Sequence, residues 1–526
     1  MKKLPVDVSH FPTMIEGNYL YIDKTKYIYD LITKRRLYFL SRPRRFGKSL
    51  LISTLKEIFS GNKKLFKDLW IGKHSDYSWE KHPVLHFDFS SLDVEDAKIF
   101  QSDLKDLLDE TGNRYKIDLS HKSLVSSKLR TLIEEAAKTN KVVLLIDEYD
   151  APLLAHLDDL KKARAIQKIM KTFFNILKSS ENKGHIHAMF VTGVTKFSKV
   201  SLFSGFNNLN DMTLETETAT LLGYTKEELT SFDEHAKEFA SKNNITIEKT
   251  FELIQDWYNG YRFSREEQKV YNPYSVLNCL DKKHFSNYWL NTGTPGFLIE
   301  LLKKQYDNIQ KLEHYEVDEE FLGTFEIGEL PIIPILFQAG YLTIDRYHEN
   351  TNTYTLKFPN REVRDTFEKY ILAALVNTTA RDISQQVFQL KQAMEKNNIE
   401  DFCQMLKSLL AGIPSYLHIE QEAYYHSLFH IMMNLLNFKG ESEIIASKGR
   451  IDFVIDTTAR IFIFEFKLNS TGKKALEQIV DRKYYEKYKR FKKPITLVGL
   501  SFNTKKKHLS FDWQTINIKS AQHGKI

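Results

Sequence analysis

The stretch Leu37-Tyr-Phe-Leu-Ser-Arg-Pro-Arg-Arg-Phe-Gly-Lys-Ser-Leu50 decides the first half of the chain. It opens as a short apolar run of strand type, and Leu50-Leu-Ile-Ser-Thr-Leu-Lys-Glu-Ile58 leaves it with helical spacing. A strand, a basic loop ending in Gly47-Lys48-Ser49 and a helix form the order of a phosphate-binding loop. Backbone N–H groups at such a helix start hold phosphate oxygens, Lys48 reaches the β- and γ-phosphates, and the Ser49 hydroxyl binds Mg²⁺. Arg45, Phe46, Gly47 and Leu50 complete the expected ATP contacts. The generic pattern has glycine where this chain has Arg42. Arg42, Arg44 and Arg45 read either as charge beside the phosphate path or as an ordinary basic loop.

Further apolar runs follow at Val84-Leu-His-Phe-Asp-Phe89, Val142-Val-Leu-Leu-Ile146 and Ala188-Met-Phe-Val191, separated by helical stretches. Short continuous runs in this alternation are buried parallel strands of an α/β sheet. The run in Lys141-Val-Val-Leu-Leu-Ile-Asp-Glu-Tyr-Asp150 ends in two carboxylates, the shape of a Walker B strand. Asp147 is expected to hold Mg²⁺ through water and Glu148 to polarise the attacking water. Strand-end acids are common by themselves. A position about 100 residues after Gly-Lys-Ser, with another strand between, favours the nucleotide reading. Thr192, in Phe190-Val-Thr-Gly193, is either a sensor for the γ-phosphate or a plain strand-end threonine.

The last part carries a second constellation. Gly449-Arg-Ile-Asp-Phe-Val-Ile455 and Phe462-Ile-Phe-Glu-Phe-Lys-Leu468 read as two strands. Residues i and i+2 of a strand share a face, so Glu465 and Lys467 lie side by side, and strand pairing can bring Asp452 to them. Two carboxylates to bind Mg²⁺ or Mn²⁺ and an ammonium to orient the attacking water or help deprotonate it are the inventory of metal-assisted phosphodiester hydrolysis. Glu-x-Lys alone is also the pattern of a cross-strand salt bridge. Charged groups in a strand as apolar as Ile461-Phe-Ile-Phe464 need a further reason. Glu422 and Glu443 are candidate additional acids. Gln478, Arg482 and Tyr484 fall on an expected helix from about Lys474 to Tyr488, suited to phosphate and base contacts.

Between these ends the pattern is mainly helical. Thr225-Lys-Glu-Glu228 reads as a capping box, Thr294-Pro295 as a helix start, and Trp257-Tyr-Asn-Gly-Tyr261 as a hairpin through an Asn-Gly turn. The run Pro334 to Thr343 followed by Tyr354 to Phe358 suggests a helix leading into a β-wing, the order of a winged-helix module. The 526 residues suggest about three domains, placed at 1–215, 216–400 and 401–526. Hydrophobic residues at 42% and charged ones at 27% exclude wholesale disorder and a fibre. Two cysteines and the lack of an apolar leader or span lead to the expectation of a cytoplasmic chain without a membrane partner. The net charge of +7 is uneven. Residues 441–526 carry 18 Lys and Arg against 9 Asp and Glu, 18 − 9 = +9, which leaves 7 − 9 = −2 for the other 440. The basic excess thus surrounds the carboxylate cluster, where nucleic-acid phosphate is the expected partner.

Arg42-Pro-Arg-Arg-Phe-Gly-Lys-Ser-Leu50, Leu145-Ile-Asp-Glu-Tyr-Asp150, Trp257-Tyr-Asn-Gly-Tyr261, Tyr271-Asn-Pro-Tyr-Ser275, Phe337-Gln-Ala-Gly-Tyr-Leu-Thr343, Gly449-Arg-Ile-Asp452 and Glu465-Phe-Lys467 occur in this order. The set resembles the AAA-ATPase-like proteins that carry a C-terminal PD-(D/E)XK nuclease domain. The resemblance makes the arginine-rich loop the family's own form. It implies an α/β multidomain chain: a P-loop ATPase of the additional-strand class, a helical middle and a restriction-endonuclease-like domain. It maps Asp452, Glu465 and Lys467 onto the nuclease motif. The expected activity is an ATP-dependent or ATP-regulated nuclease on DNA, less readily RNA. The alternatives are a nucleotide-gated DNA-binding switch and an ATPase that remodels a protein partner. A homo-oligomer and an unknown protein partner stay open.

Overall fold

The computed structural model describes residues 1–196, 206, 208–289, 298–299, 301, 312–323, 331–412, 422–436, 438–446, 449–505 and 508–517, with the backbone alone at 422–427, 439–446 and 449–450. These divide into two compact units, Met1–Leu298 with Glu313–Arg364, and Ile299–Leu312 with Asp365–Ile526. The middle residues up to Leu298 and from Glu313 to Arg364 therefore belong to the same unit as the N-terminal sheet. Three independently folding pieces divided after 215 and 400 remain a proposal.

The first unit is built on strands β1 (Leu37–Ser41), β2 (Val84–Asp88), β3 (Val142–Asp147), β4 (Ile186–Gly193) and β5 (Asn210–Asp211). They pair in parallel in the order β2-β3-β4-β1-β5. Every residue of β1 and β3 is buried, which explains the unbroken apolar runs. Helix α1 (Lys48–Phe59) buries Leu51, Ile52, Leu55 and Ile58, while α2 (Ala97–Arg114), α3 (Val125–Ala136) and α4 (Leu160–Asn182) supply the crossovers. Strand β4 lies between β1 and β3, the additional-strand arrangement, and the register sets Leu40 beside Thr192 and Ile146 beside Val191. The carboxyl ends of these three strands thus form one rim.

In the middle residues, Thr225 and Glu228 exchange capping-box hydrogen bonds ahead of α5 (Asp233–Asn243). The Asn-Gly pair does not turn a hairpin. Trp257 and Tyr258 are the last turn of α6 (Ile247–Tyr258), and Gly260 at φ 108° redirects the chain. Glycine is required there because a Cβ would stand 1.9 Å from the Pro359 carbonyl oxygen. Then come α7 (Pro273–Lys282), capped by Asn272, strand β6 (Tyr315–Asp318), and α8 (Ile332–Ala339) leading into the hairpin β7 (Thr343–His348) and β8 (Thr353–Lys357). The helix-then-wing order expected from sequence is present, and β6 adds a third strand. Thr294-Pro295 lies outside the described residues.

Helix α9 (Arg361–Leu375) carries the chain from the first unit's residues into the second's. The second unit contains α10 (Ala380–Glu395), α11 (Ile399–Ala411), α12 (Glu422–Leu435) and α13 (Gly472–Asp481). Its sheet, ordered β13-β12-β11-β10-β9, joins β9 (Lys439–Ala446), β10 (Gly449–Asp456), β11 (Ile461–Leu468), β12 (Ile495–Asn503) and β13 (His508–Ile516). Only β11 and β12 are parallel, and α13 connects them. That helix lies hard against the sheet, since a Cβ on Gly499 would meet the Leu476 nitrogen at 2.3 Å. On the other face, Phe402 of α11 and Phe429 of α12 pack on Phe464. The helix expected to reach Tyr488 stops at Asp481, where Lys483 takes φ 54° and Tyr484 turns into the core.

Candidate nucleotide and nuclease sites

The loop between β1 and α1 turns through two left-handed residues, Arg45 at φ 67° and Gly47 at φ 96°. Gly47 caps α1, whose first turn begins with Lys48 and the exposed Ser49, and the free N–H groups of that turn face anions favourably. The Lys48 ammonium is buried. It donates to the carbonyls of Arg42 (3.1 Å) and Pro43 (3.2 Å) and lies 3.4 Å from Glu148 Oε1. Across the rim, the Thr192 hydroxyl donates to Asp147 Oδ1 at 2.5 Å, and the Glu148 N–H donates to the same oxygen at 3.0 Å. Glu148 itself sits at φ 49°, a costly conformation for a side-chain-bearing residue. Lys48, Asp147, Glu148 and Thr192, taken from the ends of two strands and a helix start, therefore meet in one place.

Arg42 does not line the phosphate path. Its side chain is 1% exposed and donates to the carbonyls of Ser41 (2.9 Å), Thr213 (2.8 Å) and Thr218 (3.2 Å). Its guanidinium stacks 4.2 Å from the Phe263 ring centroid. Burial pushes its pKa down to about 9, so it stays charged at neutral pH. Arg45 likewise stacks on Tyr274, at 5.0 Å. The rest of the loop is enclosed by middle residues. Phe46 packs edge-on against Tyr261 and Phe263, and the Trp289 indole donates to the Arg44 carbonyl at 2.9 Å. A Cβ on Gly340 would meet Pro43 at 2.7 Å. Motifs that sequence reading could only recognise as family marks are thus the walls of the phosphate loop.

In the second unit, Asp452 stands one step beyond the Phe453–Phe464 pair and so faces Glu465 across the strands. Its Oδ2 accepts the Phe466 N–H at 2.7 Å. Glu465 is 4% exposed; its Oε1 accepts from the Gln478 amide. Its Oε2 has no hydrogen-bond donor among the described residues. Burial first, and then the Asp452 charge, raise the Glu465 pKa to about 8. Lys467 donates to Gln478 Oε1 at 2.6 Å, so Gln478 on α13 ties the glutamate to the lysine. Tyr484 does not join them. It is 2% exposed in the core under α13, and its hydroxyl accepts from Arg482 at 2.9 Å. Glu422 opens α12, and the register of β9 with β10 sets Glu443 across from Asp452; their side chains lie outside the described residues.

A family model described as predicted AAA-ATPase matches residues 5–203, and one of the PD-(D/E)XK nuclease superfamily matches 420–511. An uncharacterised protein in the vnfD 5′ region of Azotobacter chroococcum mcd 1 is 34% identical over 517 residues, covering 95% of this chain and 96% of the relative. The chain belongs to this AAA-ATPase-like family. A Walker-type ATPase of Pyrococcus abyssi is a weaker structural neighbour, 15% identical with a TM-score of 0.32 over 69% of this chain and 96% of that one.

Family membership implies nucleotide and divalent-metal use, and the residues fit both. The unpartnered Glu465 Oε2 beside a second carboxylate is a place for a cation. Among the described residues no third His, Cys, Asp or Glu joins Asp452 and Glu465.

Sequence reading missed three residues of this AAA-ATPase-like site. Asp150, fully buried, accepts the N–H groups of Val194 and Thr195 and the Thr195 hydroxyl, fixing the chain that follows the sensor position. Trp289 and Glu362 form the second brace. Glu362 accepts the Trp289 N–H and the Ser275 hydroxyl, both at 2.7 Å. Nothing in local spacing marks them; only the Tyr271-Asn-Pro-Tyr-Ser275 motif hinted at that region.

Burial raises the Glu362 pKa to about 7 from an ordinary 4.5. The sign follows directly. Below pH 4.5 the group is protonated in both states and has no effect. As pH rises from 4.5 to about 7 the unfolded chain binds fewer protons than the folded one, so stability falls, by about 3 kcal/mol when complete. Denaturant unfolding of wild type between pH 5 and 8 should show this decline, and Glu362→Gln should make it shallower, the raised carboxyls of Asp150 and Glu465 supplying the remainder.

Proposed function

We propose that this chain is an ATP-dependent or ATP-regulated nuclease that cleaves phosphodiester bonds in DNA with Mg²⁺, Mn²⁺ being an alternative ion. The observation that carries the reading is the convergence of Asp452, Glu465, Lys467 and Gln478 in a chain that also brings together Lys48, Asp147, Glu148 and Thr192. At the nuclease site a bound cation would supply Lewis acidity toward the scissile phosphate. Asp452 and Glu465 would hold it there, and Lys467, fixed by Gln478, would orient the attacking water and help deprotonate it. At the ATP site Lys48 would neutralise phosphate charge, Ser49 and Asp147 would hold the metal, Glu148 would position water and Thr192 would report on the γ-phosphate through Asp147. ATP turnover in the first unit licenses cleavage in the second.

The basic excess in residues 441–526 supports a nucleic-acid substrate. A cytoplasmic location accords with two buried cysteines that form no disulfide, and no described helix is long and apolar enough to cross a membrane. The test is incubation of purified protein with labelled duplex DNA, single-stranded DNA and RNA, with and without ATP and Mg²⁺. Cleavage of DNA that rises with ATP is the expected result. Protein that hydrolyses neither ATP nor any nucleic acid contradicts the reading.

A further inference from the structure

The cleft beside the nuclease residues is lined by Lys467, Lys474, Gln478 and Arg482. At Arg482 the chain leaves α13, and it reaches β12 through the 3₁₀ turn Glu486–Phe491. Residues 482–493 hold Arg482, Lys483, Lys487, Lys489, Arg490, Lys492 and Lys493 against Glu486, 7 − 1 = +6. Two of these cations are engaged, Lys489 with Glu486 at 2.7 Å and Lys493 with Asp456 at 2.6 Å. Lys487, Arg490 and Lys492 are exposed, and no carboxylate lies within ion-pair distance of them among the described residues.

Aromatic rings alternate with these cations. Lys489 lies 5.1 Å from the Tyr485 ring centroid, Lys487 5.0 Å from Tyr488 and Arg490 4.8 Å from Phe491. The Tyr488 and Phe491 rings stack at 28° with centroids 6.4 Å apart. Tyr485 and Tyr488 are half-buried, packed on the core under α13, and this anchors the array. Phe491 differs from them. It is 44% exposed, and no residue of its turn is buried, so the core does not account for the ring. The array lies on the same face of the sheet as the nuclease residues. Ile461, Ile463, Glu465 and Lys467 alternate along one face of β11, and the two isoleucines belong to the core that holds Tyr485 and Tyr488. The four steps from Ile461 to Glu465 span about 13 Å, a few nucleotides of a bound strand.

We infer that residues 485–493 form a docking surface for single-stranded DNA. A strand leaving the nuclease cleft lays its phosphates against Lys487, Arg490 and Lys492 and stacks a base on the array at Phe491. The inference rests on the nuclease reading above and adds the substrate class, DNA that is unpaired beside the cut. Cations alone would serve any polyanion. An exposed ring among them contributes where base faces are free, whereas a paired duplex keeps those faces in its own stack. Phe491 is thus a positioning residue, set apart from the reacting phosphate.

The experiment measures fluorescence anisotropy of a labelled DNA single strand and of a blunt duplex of the same length on the full chain, without divalent metal so that nothing is cut. Phe491→Ala should weaken the single strand at least about fivefold, the loss of one base stack, and leave the duplex within about twofold. Phe491→Trp keeps a ring and should retain wild-type affinity for the single strand. Lys487→Ala, Arg490→Ala and Lys492→Ala combined should lower the salt dependence of single-strand binding by about 2 in log–log slope. Phe491→Ala that spares the single strand or weakens both DNAs alike, Phe491→Trp that falls as far as Phe491→Ala, or an unchanged slope in the triple variant overturns the inference while the nuclease reading stands. Wild type that shows the expected binding pattern but cuts no nucleic acid with Mg²⁺ removes the nuclease reading and leaves the docking surface. Wild type that binds neither DNA overturns the inference outright.

Discussion

Lys467→Ala should lower metal-dependent DNA cleavage by roughly a hundred- to ten-thousandfold, the range for loss of a positioned proton-transfer group, and leave ATP turnover within about twofold. The split is expected because Lys467 belongs to the second compact unit and Lys48, Asp147 and Glu148 to the first. Stability should change little. Lys467 is not fully buried, and Gln478, to which it donates, keeps its bond to Glu465. A gel assay of plasmid or labelled duplex, run beside a phosphate-release assay, checks both halves. Gln478→Ala should fall between wild type and Lys467→Ala, because it frees the lysine without removing it. Cleavage that persists in Lys467→Ala assigns the activity to another site or a contaminant. DNA binding and ATP turnover by a wild type that never cuts would favour the nucleotide-gated switch.

The strands of the first sheet are readable from sequence for a physical reason. A parallel strand covered on both faces must be apolar throughout, so four short continuous runs separated by helical periodicity leave little else to draw. The chemistry at their ends is readable for a related reason, since Asp147 and Thr192 terminate runs whose termini the topology aligns. The same holds for Glu465 and Lys467, two charges in β11 that its apolar pattern does not explain. What is not legible depends on distant partners. Tyr484 sits in a charged, aromatic stretch that looks like an exposed helix, and only the space beneath α13 draws it inward. Trp257 and Tyr258 precede Asn-Gly, a local hairpin signal, but the apolar face of α6 buries Ile254 and Tyr258 and outweighs it. Glu362 and Trp289 meet the phosphate loop through contacts 73 and 245 residues apart, which no window captures.

Arg42 is the sharpest such case, and restoring the generic glycine should damage the protein. Read locally, Arg42→Gly moves the loop toward the common phosphate-loop pattern and ought to help it bind ATP. The structure gives the opposite sign. The guanidinium holds the carbonyls of Thr213 and Thr218, 171 and 176 residues away, and lies on the Phe263 ring. Glycine would leave the Thr213 carbonyl without this donor and the Thr218 carbonyl with the Leu221 N–H alone, empty the space of the largest fully buried side chain among the described residues, and add backbone freedom to the unfolded loop. Together these effects should cost about 3–5 kcal/mol. The Lys48 ammonium is held by the Arg42 and Pro43 carbonyls, so loss of order at residue 42 reaches the nucleotide site directly. Arg42→Lys should not rescue, because one ammonium cannot span the Ser41, Thr213 and Thr218 oxygens from a single stem. A lower denaturant midpoint together with weaker ATP binding in Arg42→Gly is the expected result. Unchanged stability with tighter ATP binding would mean that the buried arginine is dispensable and the generic loop pattern applies here after all.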